Sequence, residues 1–117
     1  MANPIIKIDD GQMGGYETQK TDWVPLPAGC GGLQLLVLLK AAQGNSAFSA
    51  WLEGSAEGKS AASMHHALQL SPGSRAHAVV SVTEPTHRLV RGCVESRGDP
   101  QALFQFSFTV YPGTSLS

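Results

Sequence analysis

The sequence predicts an all-β fold, a two-sheet sandwich of jelly-roll type with about eight antiparallel strands, and three observations carry that expectation. The strong hydrophobic periodicities run at two residues rather than 3.6. Short apolar runs are separated by Gly-, Pro- and Ser-rich turns. No segment reads as a helix beyond one short turn that could fall within residues 55–66. A sheet with one apolar face must bury it, and a second sheet does so directly. An immunoglobulin-like sandwich of seven strands is the alternative, although the Cys…Trp…Cys spacing of that fold is absent.

The elements follow in order. Residues 5–9 form a first strand, and the glycines of GQMGG at 11–15 argue for a loop or mobile hinge after it. Residues 1–22 are therefore read as an arm, with the sandwich proper over 23–117. The segment 21–26 is a short strand stopped by Pro25 and Pro27, which cannot donate to a ladder. LQLLVLLKAAQ at 33–43 is apolar on both faces, which suits a central strand covered on both sides. Gly44-Asn45 then supplies a tight reversal, making 33–54 the strongest hairpin pattern in the chain.

Within 47–54, Phe48, Ala50 and Leu52 alternate with Ser49, Trp51 and Glu53, so period two buries the first set and turns Trp51 outward. A loop of small polar residues covers 55–66, a brief strand 67–70, and SPGS at 71–74 reverses the chain. In 75–83, Ala76, Ala78, Val80 and Val82 share one face before Glu84-Pro85 breaks the run. A strand over 87–95 leads to a turn, SRGDP, at 96–100. The last strand, LFQFSFTVY at 103–111, places Phe104, Phe106, Phe108 and Val110 on one face, and three phenylalanines side by side must be core.

Composition narrows the function. The chain has 117 residues with a formal net charge of −1, and its arginines and lysines are scattered, so it lacks the basic patch that phosphate backbones require. No nucleic-acid partner is expected. Charged residues make up 15% of the chain, against roughly 25% in ordinary globular proteins. So lightly charged a surface suggests self-association as a dimer or trimer. The start MANPIIKIDDG has no basic region followed by an apolar stretch, so synthesis in the cytoplasm without export is expected. The apolar run 35–39 is far short of the ~20 residues that span a bilayer, and no membrane partner is expected. Cys30 and Cys93 lie 63 positions apart and are read as free thiols.

No catalytic signature stands in the chain. His65, His66, His77 and His87 are without a carboxylate or cysteine at ligand spacing, so no metal or other cofactor is expected. Glu53, Glu57 and Glu95 could supply the paired carboxylates of a glycosidase, but nine acidic residues give some such pair by chance. Ser55 fails the Gly-x-Ser-x-Gly pattern of a nucleophile elbow, because Gly54 adjoins it and Gly58 lies three residues beyond. The surrounding EGSAEG reads as turn chemistry instead. Outward Trp51 has two explanations: cover by its own 55–66 loop, or cover by another chain, with Trp23 and Arg91 beside it.

Four stretches together carry a family resemblance. They are W-x-P-L-P from Trp23, WLEGSAEGK at 51–59, HRLVRGCVESRGDP at 87–100 and FQFSFTVY at 104–111. Over residues 23–111 this layout resembles small β-sandwich virion proteins of tailed bacteriophages. There a strand ends in a Leu-x-Gly-Ser-x-Asp-Gly turn, matched here by Leu52, Gly54, Ser55 and Gly58, with Glu57 in place of Asp. The resemblance implies a structural virion protein, foremost a decoration or cement protein on the outer capsid surface, with the major capsid protein and its own copies as partners. A tail or head–tail position is compatible with the same residues. Ile5 and Ile6, with Trp51, Trp23 and Arg91, are the candidate interface residues, since an N-terminal strand can add to a neighbour's sheet or pair within its own. The rival class is a carbohydrate-binding β-sandwich module, in which Trp51 and Trp23 would stack on sugar rings.

Overall fold

Alternating inward residues on facing strands decide the architecture. The computed structural model describes residues 3–27, 30–42, 46–59, 61–64, 67–82, 88–98 and 103–113, and those residues hold strands and turns without helix. No helix long and apolar enough to cross a membrane occurs among them. The strands are β1 (Ile6–Gly14), β2 (Thr18–Lys20), β3 (Val24–Pro25), β4 (Gly32–Ala42), β5 (Ser46–Ser55), β6 (Ala62–Ser63), β7 (Leu68–Leu70), β8 (Arg75–Ser81), β9 (Leu89–Gly98) and β10 (Leu103–Pro112). The first sheet has the order β1-β10-β4-β8; in the second, β9 and β5 pair at the centre, β2 and β3 flank β9, and β6 and β7 flank β5. All pairings are antiparallel. Two edges of the second sheet are each built from two short pieces, so ten strands fill eight positions of a jelly roll.

Long strands adjacent in sequence lie in opposite sheets, and this overturns the expected 33–54 hairpin. β4 pairs with β10 and β8, whereas β5 pairs with β9, β6 and β7. Leu33, Leu35, Val37 and Leu39 face Phe48, Ala50 and Leu52 across the core instead of lying beside them. The local turn signal was strong, but burying both apolar sets at once needs them on opposed layers. The Gly44-Asn45 pair itself lies outside the described residues.

The N-terminal segment is not a detached arm. β1 continues through the glycines that suggested a hinge, pairing with β10 from Ile6↔Val110 to Gly14↔Leu103 with a register shift between Ile8 and Gly11. Gly11 is needed because the ring of Phe106 covers its α-carbon, where any side chain would overlap it. Ile6, 6% exposed, is thus a core residue of its own chain rather than a contact for a neighbour. Tyr16 then takes the left-handed conformation (φ 55°) as the chain leaves the first sheet for the second.

Four phenylalanines fill the centre. Phe48 meets Phe104 and Phe106 at ring-centroid separations of 5.8 and 5.3 Å, tilted as aromatic pairs prefer. Phe108 presses against the α-carbon of Gly92 on the opposite sheet. Gly92→Ala should therefore lose about 1–3 kcal/mol to overpacking, although Ala is otherwise the better residue in a strand. Urea unfolding measures it, and adding Phe108→Leu should return part of the loss. A Gly92→Ala chain as stable as the parent would show that the ring has room to move.

Candidate functional site

The two sheets turn very different outer faces to solvent. On the second sheet the outward row is Ser49, Trp51 and Glu53 of β5 against Glu95, Cys93 and Arg91 of β9, with Lys20 of β2 beyond Cys93. Glu53 organises this face. Its Oε1 accepts from Arg91 Nε at 2.9 Å and lies 2.8 Å from the second Arg91 guanidinium nitrogen, while its Oε2 accepts from Trp51 Nε1 at 3.0 Å. Lys20 Nζ stands 3.7 Å from Oε1. The Arg91 guanidinium lies over the Trp23 ring, 4.4 Å from its centroid, a favourable cation–π arrangement.

Burial alone would raise the Glu53 carboxyl, but the hydrogen bonds from Trp51 and Arg91 and the charge of Lys20 outweigh it and hold the group below its ordinary value. Cys93, directly opposite Trp51, is buried, and burial together with the Glu53 charge pushes its thiol up to about 12. A thiol so shielded is inert. Among the described residues both cysteines are free, Cys30 donating to the Gly32 carbonyl at 3.0 Å.

Trp51, Trp23 and Arg91 are thus brought together on one patch, and Glu53, weighed in the sequence only as half of a carboxylate pair, is the residue that links them. Ile5 and Ile6 belong to the other sheet. Trp51 is half-buried and hydrogen-bonded within its own sheet, so neither a 55–66 cover nor a second chain is required to place it. Ser55 is buried, and its Oγ accepts from the Gly58 and Glu57 amides at 2.9 and 3.3 Å. That closes the turn after β5. Gly58, at φ 77°, sits against Trp23 and Leu89.

A more polar hollow of about 440 Å³ lies beside β3 and β9, against Pro25, Glu57 and Arg88, and the first sheet presents a groove of about 350 Å³. β4 supplies its floor with Leu36 and Leu38, β10 one wall with Ser107, Thr109 and Tyr111, and β8 the other with Arg75 and His77. Register arranges these as cross-strand rows: Ser107, Leu38 and Arg75; Thr109, Leu36 and His77; Tyr111, Gln34 and Val79. Gln34 is 1% exposed although it points outward, and its Oε1 accepts from His77 Nε2 at 3.0 Å. In a neutral imidazole that leaves Nδ1 as an acceptor. The expectation that β4 is covered on both sides is corrected here, since among the described residues no layer lies over Leu36 and Leu38, which are only partly buried. No group of three or more metal-ligating side chains occurs among the described residues; His65, His66 and His87 lie outside them.

No family model matches the sequence, and no curated protein does. Solved structures do share the fold. The carbohydrate-binding module CBM6cm-2 of Cellvibrio mixtus lichenase 5A, in complex with cellotriose, superposes with a TM-score of 0.53 at 7% identity, covering 95% of this chain and 99% of that one. The CBM22-1 xylan-binding domain of Paenibacillus barcinonensis Xyn10C gives 0.52 at 8% identity, covering 98% and 97%. The CBM22-1–GH10 modules of Clostridium thermocellum xylanase 10B, complexed with xylohexaose, give 0.51 at 8% identity, covering 81% of this chain but only 20% of that one. Such identities establish a shared β-sandwich and nothing finer.

The Glu53 network gives a test with a defined sign. A carboxyl whose pKa is lowered by folding stabilises above its unfolded value and loses that contribution as pH falls through the folded one. Glu53→Gln should cost about 1–3 kcal/mol at pH 7, and the gap to the parent should close as the pH drops below 4.5, the ordinary value for Glu. Thermal melts of both chains from pH 7 to pH 3 measure it; a gap that stays constant would remove the network from the account.

Proposed function

We propose that this chain is a non-catalytic recognition module that binds carbohydrate in the groove on the outer face of its first sheet. The observation that carries the reading is the composition of that groove: an apolar floor, one aromatic ring at its end, and hydroxyl, imidazole and guanidinium groups along its walls. Sugars offer the complementary surface, with C–H faces that pack on apolar and aromatic side chains and hydroxyls that both donate and accept. Its volume lies at the lower end of the range for small-ligand sites. Supporting this choice, the sandwiches that share the fold include modules solved with bound oligosaccharides.

A second reading, a structural virion protein that decorates a phage capsid, is favoured by one specific feature. The Leu52–Gly58 turn that carries the sequence resemblance is a built element, capped by the Ser55 hydroxyl and packed on Trp23. In that reading the Trp23–Arg91–Glu53–Trp51 patch is the surface that meets the shell.

One experiment separates the two. Isothermal titration with soluble xylo- and gluco-oligosaccharides, and co-sedimentation with empty capsids, are carried out on the parent, Tyr111→Ala and Trp51→Ala chains. Carbohydrate binding in the groove predicts that Tyr111→Ala weakens sugar affinity by about tenfold or more while Trp51→Ala leaves it unchanged. Retention on capsids that only Trp51→Ala abolishes, with no sugar bound, would replace the first reading by the second.

A further inference from the structure

The free edges of the first sheet are protected unequally. β1, at one edge, carries the register shift between Ile8 and Gly11, and the charges of Lys7, Asp9 and Asp10 stand along it. Lys40 Nζ there donates to the Asp9 carbonyl at 2.6 Å and to Asp10 Oδ1 at 2.8 Å. Bulges and charges are what natural sheets use to keep an edge from pairing. β8, at the other edge, has none of this. It pairs with β4 over seven residues without a register shift, holds no proline, lysine or acid, and bears its single charge, Arg75, at one end. Val79 on it is 50% exposed.

Which backbone groups are free on β8 follows from two bonds at its ends. Val82 N donates to the Gly31 carbonyl at 3.1 Å, and Leu39 N to the Ser74 carbonyl at 3.0 Å. Given the β4–β8 register, Ala76, Ala78 and Val80 bond inward to β4. Arg75, His77, Val79 and Ser81 turn their N–H and C=O groups to the open side, where nothing among the described residues pairs with them.

We propose that two copies of this chain join along β8, antiparallel about a two-fold axis at Ala78, to form one continuous eight-stranded sheet. The strand is self-complementary in that register. Arg75 pairs with the second copy's Ser81 and His77 with its Val79, each pair exchanging two bonds, so every outward group on the strand is used. Ala78 meets its own copy in the intervening non-bonded position, where α-carbons approach to about 4.5 Å and a small side chain is required. Charge agrees: the two Arg75 side chains fall at opposite ends, about 20 Å apart at ~3.4 Å per residue, so no like charges oppose. Each Val79 is covered by His77 of the other copy. The β8 wall of each groove then adjoins residues of the second copy, and the two grooves share one sheet face. The inference does not depend on what the groove binds.

Sedimentation velocity on the full chain from about 1 to 100 µM tests it. The parent should pass from monomer to dimer within that range. Val79→Pro removes an outward N–H without touching the β4 ladder, as edge prolines do, and Val79→Lys restores the usual edge protection. Both should shift the midpoint by about tenfold or more toward monomer while keeping a β-type circular dichroism spectrum. If Val79→Pro unfolds, Val79→Lys decides. A parent that stays monomeric throughout, or a dimer that survives Val79→Lys unchanged, overturns the proposal.

Discussion

The rest of the structure depends on the aromatic layer between the sheets. Phe104, Phe106 and Phe108 alternate along β10, and Phe48 meets two of them from the opposing sheet. Rings of this size leave no volume for side chains at Gly11 and Gly92, so the glycines are consequences of the phenylalanines. The same layer fixes the register of β10 against both β1 and β4, because a slip of one residue would turn three rings to solvent. With the inner faces so constrained, the outer faces carry whatever the inner ones leave over.

Those outer faces differ in how completely they satisfy themselves. On the second sheet, Glu53 has both oxygens engaged, Arg91 covers Trp23, and Trp51 stands opposite the buried Cys93; a partner there would have to displace these bonds. On the first sheet, Leu36, Leu38 and Val79 keep exposed apolar surface, Tyr111 is partly open, and the outward backbone groups of β8 have no partner among the described residues. Water satisfies the polar atoms but not the apolar area, so a ligand or a second copy gains on both counts. This imbalance is what supports the proposal of a binding face on the first sheet. It also separates a stable polar cluster from a binding site, two things that a tryptophan in an outward position can equally signify.

Much of the fold was legible in the sequence. Period-two alternation located β5, β8 and β10 almost to the residue, and SPGS closed β7 into β8 through Gly73 at φ 81°. What failed was non-local. A tight turn after β4 reads as a hairpin because the signal is local, whereas the choice of sheet is set by which faces must meet. GQMGG reads as a hinge because glycine is permissive; that Phe106 demands one of those glycines becomes visible only once β10 is alongside. The site was half legible. Trp51, Trp23 and Arg91 were named and do converge, but Glu53, which joins them, looked like one acid among nine. The groove left one signal that was misread: a strand apolar on both faces was taken as covered on both, while among the described residues nothing covers its outer face.

The central claim, that the outer face of the first sheet is the binding face, is tested most directly by amide chemical-shift mapping on the uniformly labelled chain titrated with xylo- and gluco-oligosaccharides. The account predicts shifts confined to β10, β4 and β8, centred on Thr109, Tyr111, Leu36 and His77, with the β5 and β9 amides around Trp51 and Arg91 still. Shifts centred on Trp51, Trp23 and Arg91, or none at millimolar sugar, would contradict it.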